Sequence, residues 1–319
     1  MNQEKINLQQ ARDFGETFSV SVKLIRQNFK IFFQCLILLA GPFILMSSVA
    51  GAFYQSGALS FTTSGMSNPM DILQQFGWTY LIFIIATIIA NLVMLGTVYS
   101  FMITYQEKGP GNFTVNDVGQ KLIQSIGNIL LIFIAIFFIS VIVIAIVVGI
   151  VMAIGIAVPA LGILLGLLIL IGLLLVGPPI FWQFSVVYLV NMKEDKTVSE
   201  SFGKTRQVMK DNFWWTWVIV VCGSIAIGIM GFVFALPQAI YQMVLMFSAM
   251  GGQGDSEVSI PFMIVATICT FCATLIQSMI HILNGIHYYS LDEQKHGQGL
   301  IERINEIGNT QNGNVEQQY

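Results

Sequence analysis

The sequence predicts an all-α, polytopic membrane helical bundle: six transmembrane helices with three cytoplasmic interfacial amphipathic helices in tandem repeat. Three observations predict it. Charged residues make up only 10% of the 319 and vanish from long stretches. All 14 lysines and arginines fall on one side of the apolar blocks. A polar amphipathic segment leads into the first, third and fifth blocks.

A soluble domain carries about 25% charged residues. Here residues 31–104 contain one charge, Asp71, and residues 122–192 contain none. Such runs far exceed the ~20 residues that cross a bilayer. The first thirty residues lack a short apolar core ending at a small-residue cleavage site, so the first span is expected to serve as an uncleaved insertion signal. Cys35, Cys222, Cys269 and Cys272 all sit in apolar runs, which is no disulfide framework.

Taken in order, residues 1–30 read as the first amphipathic helix with its lead-in. Ala11, Phe14, Phe18, Val22, Ile25 and Phe29 form its stripe, spaced at the helical period. Span 1 follows over residues 31–53, then a polar Gly/Ser/Thr loop to Gly77 that includes Asn68-Pro69. Span 2 covers residues 78–105, with Asn91 near its middle. Lys108–Gly127 reads as a turn and the second amphipathic helix, opening on Thr114 and Asp117. The next apolar block is too long for one crossing. Pro159, between Gly155 and Gly162, divides it into span 3, Asn128–Ala153, and span 4, Leu161–Leu189. Gly177-Pro178-Pro179 is expected to kink or unwind span 4, because proline lacks the N–H donor.

The third amphipathic helix begins at Thr197, whose spacing from Glu200 is that of a capping box. Span 5 covers residues 213–236, with apolar residues continuing past Pro237 to Met250. A Gly-rich acidic loop, Gly251–Ser259, leads to span 6, residues 260–289. The domain reading is a single six-span membrane domain over residues 1–298, built of units 1–107, 108–195 and 196–290. Residues 299–319 form a partly disordered cytoplasmic tail.

Each unit aligns on an asparagine before its span. The candidate helix-to-span junctions are Arg26, Asn28 and Phe29; Asn128; and Lys210, Asn212, Phe213 and Trp214. The positive-inside rule places both termini in the cytoplasm. With 14 acids also on that side, the inner face is near neutral. A polybasic lipid-binding surface and nucleic-acid binding are therefore unsupported.

No Asp, Glu, Lys or Arg lies within a predicted span, which argues against a carboxylate-based ion or proton pump. His281 and His287 lie too far out of phase for a ligand pair, and His287 reads as an interface anchor beside Tyr288 and Tyr289. Cys269 and Cys272 have no basic neighbour to activate a thiol, so they read as packing. Gly162/Gly166 and Ser224/Gly228 are small-residue pairs that permit close helix approach. The polar candidates at membrane depth are Asn91, Gln183, Gln277 and Asn284. Asn91 and Gln183, with the kink at Pro178 and Pro179, outline a candidate cavity. Interhelical hydrogen bonding explains the same side chains.

Phe14-Gly15, Arg26-x-Asn28-Phe29 and their echo in Ser201-Phe202-Gly203 and Lys210-x-Asn212-Phe213 carry a resemblance. The chain resembles bacterial six-span proteins related to the membrane domain found on some glycerophosphodiester phosphodiesterases. The resemblance implies an architecture in the bacterial inner membrane and no catalytic residues. The soluble phosphodiesterase domain needs acidic and histidine metal ligands on a large barrel, and this chain supplies none.

The leading functional expectation is a non-enzymatic component that organises or senses the bilayer, or scaffolds membrane or cytoplasmic proteins. The alternatives are a carrier or permease for a lipid or other apolar molecule, and a membrane enzyme using His281. No catalytic residue, cofactor or metal site is assigned, and the bilayer is the expected partner.

Overall fold

A computed structural model describes residues 5–64, 69–250 and 260–297. The expected loop Gly251–Ser259 and tail 299–319 lie outside the described residues. Among those described the fold is all-helical, with no strand. Six helical stretches are long and apolar enough to cross a membrane: Phe29–Ser56, Gly77–Lys108, Val115–Ala157, Pro159–Glu194, Phe213–Val244 and Ile260–His296. The chain is a multi-pass membrane protein on this ground.

The first helix, α1, is Phe14–Gln27, capped by the Asp13 side chain, which accepts from the Glu16 backbone N–H. Residues 5–13 are not helical. They form an ordered strap across the charged end of the bundle. The Ile6 N–H donates to the Tyr105 hydroxyl at 2.8 Å, and the Arg12 N–H to Ser290 at 2.8 Å. The buried Arg12 guanidinium also donates to the Leu8 carbonyl at 2.8 Å. The stripe beginning at Ala11 therefore overreaches, because these polar tethers hold residues 5–13 out of the helix.

Asn28 breaks the helix between α1 and α2 (Phe29–Cys35), and its side chain donates back to the Leu24 carbonyl. A π-turn over Leu36–Ala40 joins α2 to α3 (Gly41–Ser64). Pro42 stands just inside α3, and a wider turn accommodates its missing N–H.

Among the described residues the polar loop expected from residue 54 to Gly77 is helical: α3 runs to Ser64 and α4 begins at Pro69, ending at Lys108. Gly and Ser interrupt hydropathy without ending a helix that pairs with its neighbour, and α3 packs along α4.

The second amphipathic helix and span 3 are also not separate. Helix α5 runs unbroken from Val115 to Ala157, 43 residues. Asn128 is exposed in mid-helix and is no junction. The capping boxes explain why. Thr114 caps α5 with Asp117, and Thr197 caps α7 (Val198–Lys210) with Glu200. Counted from Asp13, Thr114 and Thr197, the position of Asn28 and Asn212 falls on Ile129, not Asn128. Ile129 is buried and has no side-chain amide to cap a break.

Helix α6, Pro159–Glu194, returns from α5 through the single extended residue Val158. The division at Pro159 is as read from the sequence, but the unwinding at Pro178 and Pro179 is not: both lie within continuous helix. Pro178 leaves the Leu174 carbonyl without its intrahelical donor. The Trp217 indole N–H donates to that carbonyl at 3.1 Å. Beyond this crossing the α5–α6 hairpin is apolar on every side and contacts mainly itself.

Helix α8 is Phe213–Met250, continuous through Pro237. The last expected span is two helices, α9 (Ile260–Gln277) and α10 (Met279–His296). Ser278 separates them, its hydroxyl donating to the Leu275 carbonyl at 2.6 Å. Helix α10 is the centre of the bundle, touching α1, α4, α6, α7, α8 and α9. It is buried continuously from Ile280 to Asp292.

Candidate functional site

The site is a partly open cavity of about 640 Å³ lined by α4, α6, α8, α9 and α10. Helix α8 meets α10 along Thr216, Ile219, Gly223 and Ile227, and the space opens beside that line of contact. A side chain at Gly223 would stand 2.2 Å from Leu283, so the helices touch there. Gly228, five residues on and turned to another face of α8, has nothing within 4 Å. The small residues Ser224, Gly228 and Gly231 therefore line a space instead of a seam. The expectation that Ser224 and Gly228 mediate close approach is corrected on this point. The hairpin supplies a true seam: a side chain at Gly162 would sit 2.5 Å from the Gly155 backbone.

The cavity's polar groups are Asn91, Ser224, Gln238, Thr270, Thr274, Gln277 and His281. No Asp, Glu, Lys or Arg lines it. At 1.5 Å per residue, Asn91 lies about 25 Å along α4 from Lys108, which is membrane depth. Several polar groups are already engaged. Asn91 donates to the Thr87 carbonyl at 2.8 Å, and Thr274 to the Thr270 carbonyl at 2.8 Å. The Gln238 amide donates to Gln55 on α3, and Gln242 reaches the same oxygen at 3.2 Å.

Of the cavity residues read from sequence, Asn91 is in the wall, while Pro178, Pro179 and Gln183 are not. Pro179 is buried in helix packing and Gln183 is half-buried. Phe181 alone represents α6 in the wall. The reason is rotational: the helix does not unwind, so Phe181 and Gln183, two residues apart, point to different faces. Gln277 and His281 are brought to the wall, and Cys269 with them.

His281 is 8% exposed and stands where the cavity meets the core. Its Nδ1 is 3.0 Å from the Ser185 hydroxyl, which is 2.6 Å from the Tyr99 hydroxyl. Tyr99 is fully buried, and its ring meets the imidazole edge-on. Three helices thus contribute to one polar chain. Sequence reasoning missed Tyr99 and Ser185, because nothing local marks two residues whose partners lie 86 and 96 positions away.

His287 is no interface anchor. It is 1% exposed, with Nε2 3.0 Å from the Thr216 hydroxyl and its ring against Trp182. The Trp182 indole donates to the Asn284 carbonyl at 3.2 Å. The Asn284 side-chain amide, fully buried, has no hydrogen-bond partner among the described residues.

The remaining junction residues form a charged end below this site. Arg26, Phe29, Lys210 and Trp214 are exposed, and Asn28 is buried. Lys204 of α7 pairs with Glu194 and, at 3.3 Å, with Asp292 of α10. Lys295 pairs with Asp211 at 2.9 Å, and this contact holds the Asp211 carboxyl below its ordinary range. The four cysteines are free thiols, and the described residues hold no cluster of three or more metal-ligating side chains.

Comparison with known protein families, curated proteins and solved structures finds no match.

Proposed function

We propose that this protein is a membrane receptor or carrier for an uncharged, largely apolar small molecule, held in the cavity between α4, α8, α9 and α10. The observation that supports this reading is a cavity of about 640 Å³ at membrane depth whose walls carry hydrogen-bonding groups but no charge. Ligand sites are concave, mostly apolar and carry few convergent polar groups. Helix packing alone would have closed the space, since the glycines along α8 allow approach. Asn91, Ser224 and Gln277 stay exposed on its open side, so an occupant can enter without the bundle coming apart.

In this reading the protein sits in the bacterial inner membrane with both termini cytoplasmic, oriented by its one-sided cations. It is built of three tandem units, each an amphipathic helix leading into a pair of spans. The correspondence of Thr17, Ser21, Leu24 and Ile25 with Ser201, Thr205, Val208 and Met209, all buried, supports the first and third units. The resemblance to the membrane domain of some glycerophosphodiester phosphodiesterases belongs to the same proposal, as architecture alone. The proposal involves no chemical step.

The test is to block the space. Gly228→Phe adds a ring where a new side chain meets no neighbour. Native mass spectrometry of the full chain from membranes should show a bound lipid-sized mass that the variant loses while keeping its melting temperature. Equal ligand content in both proteins would overturn the reading.

A scaffolding role is the second reading, favoured by exposed apolar residues beside the charged end, among them Val22, Phe29, Ile123 and Trp214. It predicts that Arg206→Glu with Lys210→Glu, both exposed on α7, releases a defined partner while ligand content stays unchanged. Retention of that partner by the double variant argues against it.

A further inference from the structure

We infer that His281 presents its Nε2–H to the cavity as a fixed hydrogen-bond donor, so that the occupant is an uncharged lipid engaged through a carbonyl or ether oxygen. This rests on the proposed binding function and names the ligand class for it.

The argument starts at the buried end of the chain. The Tyr99 hydroxyl has one partner among the described residues, the Ser185 hydroxyl. A buried phenol that only accepted would leave its own proton unpaired, and an unmade buried donor is the costly arrangement. Tyr99 therefore donates to Ser185. A serine hydroxyl has one proton, and having accepted from Tyr99 it donates to the next group, His281 Nδ1 at 3.0 Å. An imidazole nitrogen that accepts carries no proton, so the neutral ring holds its proton on Nε2. No described residue bonds Nε2, and His281 lines the cavity.

Three helices fix this tautomer: Tyr99 from α4, Ser185 from α6 and His281 from α10. Tyr99 and Ser185 are positioning residues and touch no ligand. The wall around His281 offers no anion to hold a cationic ring and no cation to pair an anionic headgroup. A charged headgroup would be buried uncompensated. An oxygen acceptor on an otherwise apolar molecule satisfies the donor without that cost. A pure hydrocarbon leaves it unmet.

The test uses the full chain in phosphatidylcholine nanodiscs, with two photoactivatable probes of equal chain length. One is a diazirine-bearing diacylglycerol, which has ester carbonyls, and the other a diazirine-bearing alkane. The expected result is preferential labelling of cavity peptides by the ester probe, by about five-fold, the equivalent of one hydrogen bond. His281→Phe should abolish the preference, and His281→Gln, which keeps a donor, should restore part of it. Nitrogen-15 spectra of histidine give a second readout, with His281 in the Nε2–H form in the native protein. Ser185→Ala should mix the two tautomers. Equal labelling by both probes, or a native His281 carrying its proton on Nδ1, overturns this inference and leaves the binding function standing. Absence of cavity labelling by either probe overturns both.

Discussion

Trp217 donates its indole N–H to the Leu174 carbonyl that Pro178 leaves unpaired. An orphaned carbonyl inside a membrane has no water to turn to. Trp217→Phe keeps the ring's bulk and removes the donor, so it should cost about 1–3 kcal/mol, read as a lower unfolding midpoint in detergent. An unchanged midpoint would show that the carbonyl finds another donor. The glycines make a second contrast at this scale. Gly162→Ala sets a methyl 2.5 Å from the Gly155 backbone, which cannot swing aside. The hairpin must open, costing about 1–3 kcal/mol as for overpacking. Gly228→Ala meets nothing within 4 Å and should be close to neutral. Equal melting temperatures for the two variants would contradict the seam at Gly155 and Gly162.

At the scale of the helices, α1 and α7 bury a face that their apolar stripes do not announce. Thr17, Ser21, Ser201 and Thr205 are inside, while Val22 is outside. Each of the four hydroxyls donates to a carbonyl four residues earlier, as Ser21 does to Thr17 at 2.7 Å. Self-satisfied and small, they let α1 lie on α10 and α7 on α6. The Thr197 and Glu200 capping box starts α7, and Thr197→Ala should cost about 1 kcal/mol. The hydrogen bonds from Thr197 hold the Glu200 carboxyl below its ordinary range. A depressed carboxylate contributes stability above the unfolded value and loses it as pH falls through the folded one. The native protein should therefore melt above Glu200→Gln at neutral pH, with the difference closing below about pH 4. A difference that persists into acid would mean the carboxylate is not what matters.

For the molecule as a whole, α10 is the axis and everything else is arranged on it. The charged end gathers α6, α7 and α10 through Glu194, Lys204 and Asp292, and the strap ties itself to α10 at Ser290. The one-sided cations predict an orientation. A membrane-impermeant maleimide should label Lys196→Cys only from the cytoplasm and Ser60→Cys only from outside. The reverse pattern would overturn the topology and, with it, the site's position relative to the inner face.

Much of this was legible in the chain. Uncharged runs, helix caps and the break at Pro159 are local signals, set by solvation and by missing or supplied N–H groups over a few residues. They determined the six crossings, the starts of α5 and α7, and the breaks at Asn28 and beside Asn212. The continuity of α5 through Asn128 was also encoded, in the register of Thr114, but an asparagine masked it. What only the tertiary structure decided depends on helix rotation and distant partners. Pro178 stays helical because Trp217, on another helix, takes the carbonyl. The cavity lies beside Asn91 and His281 and away from Gln183, because α8 turns Gly223 towards α10 and Gly228 towards open space. The proton on His281 is placed by Tyr99 and Ser185, whose sequence positions carry no sign of one another. In a membrane every span is apolar, so hydropathy says that a helix crosses and leaves open which face meets which; packing contacts between helices settle that.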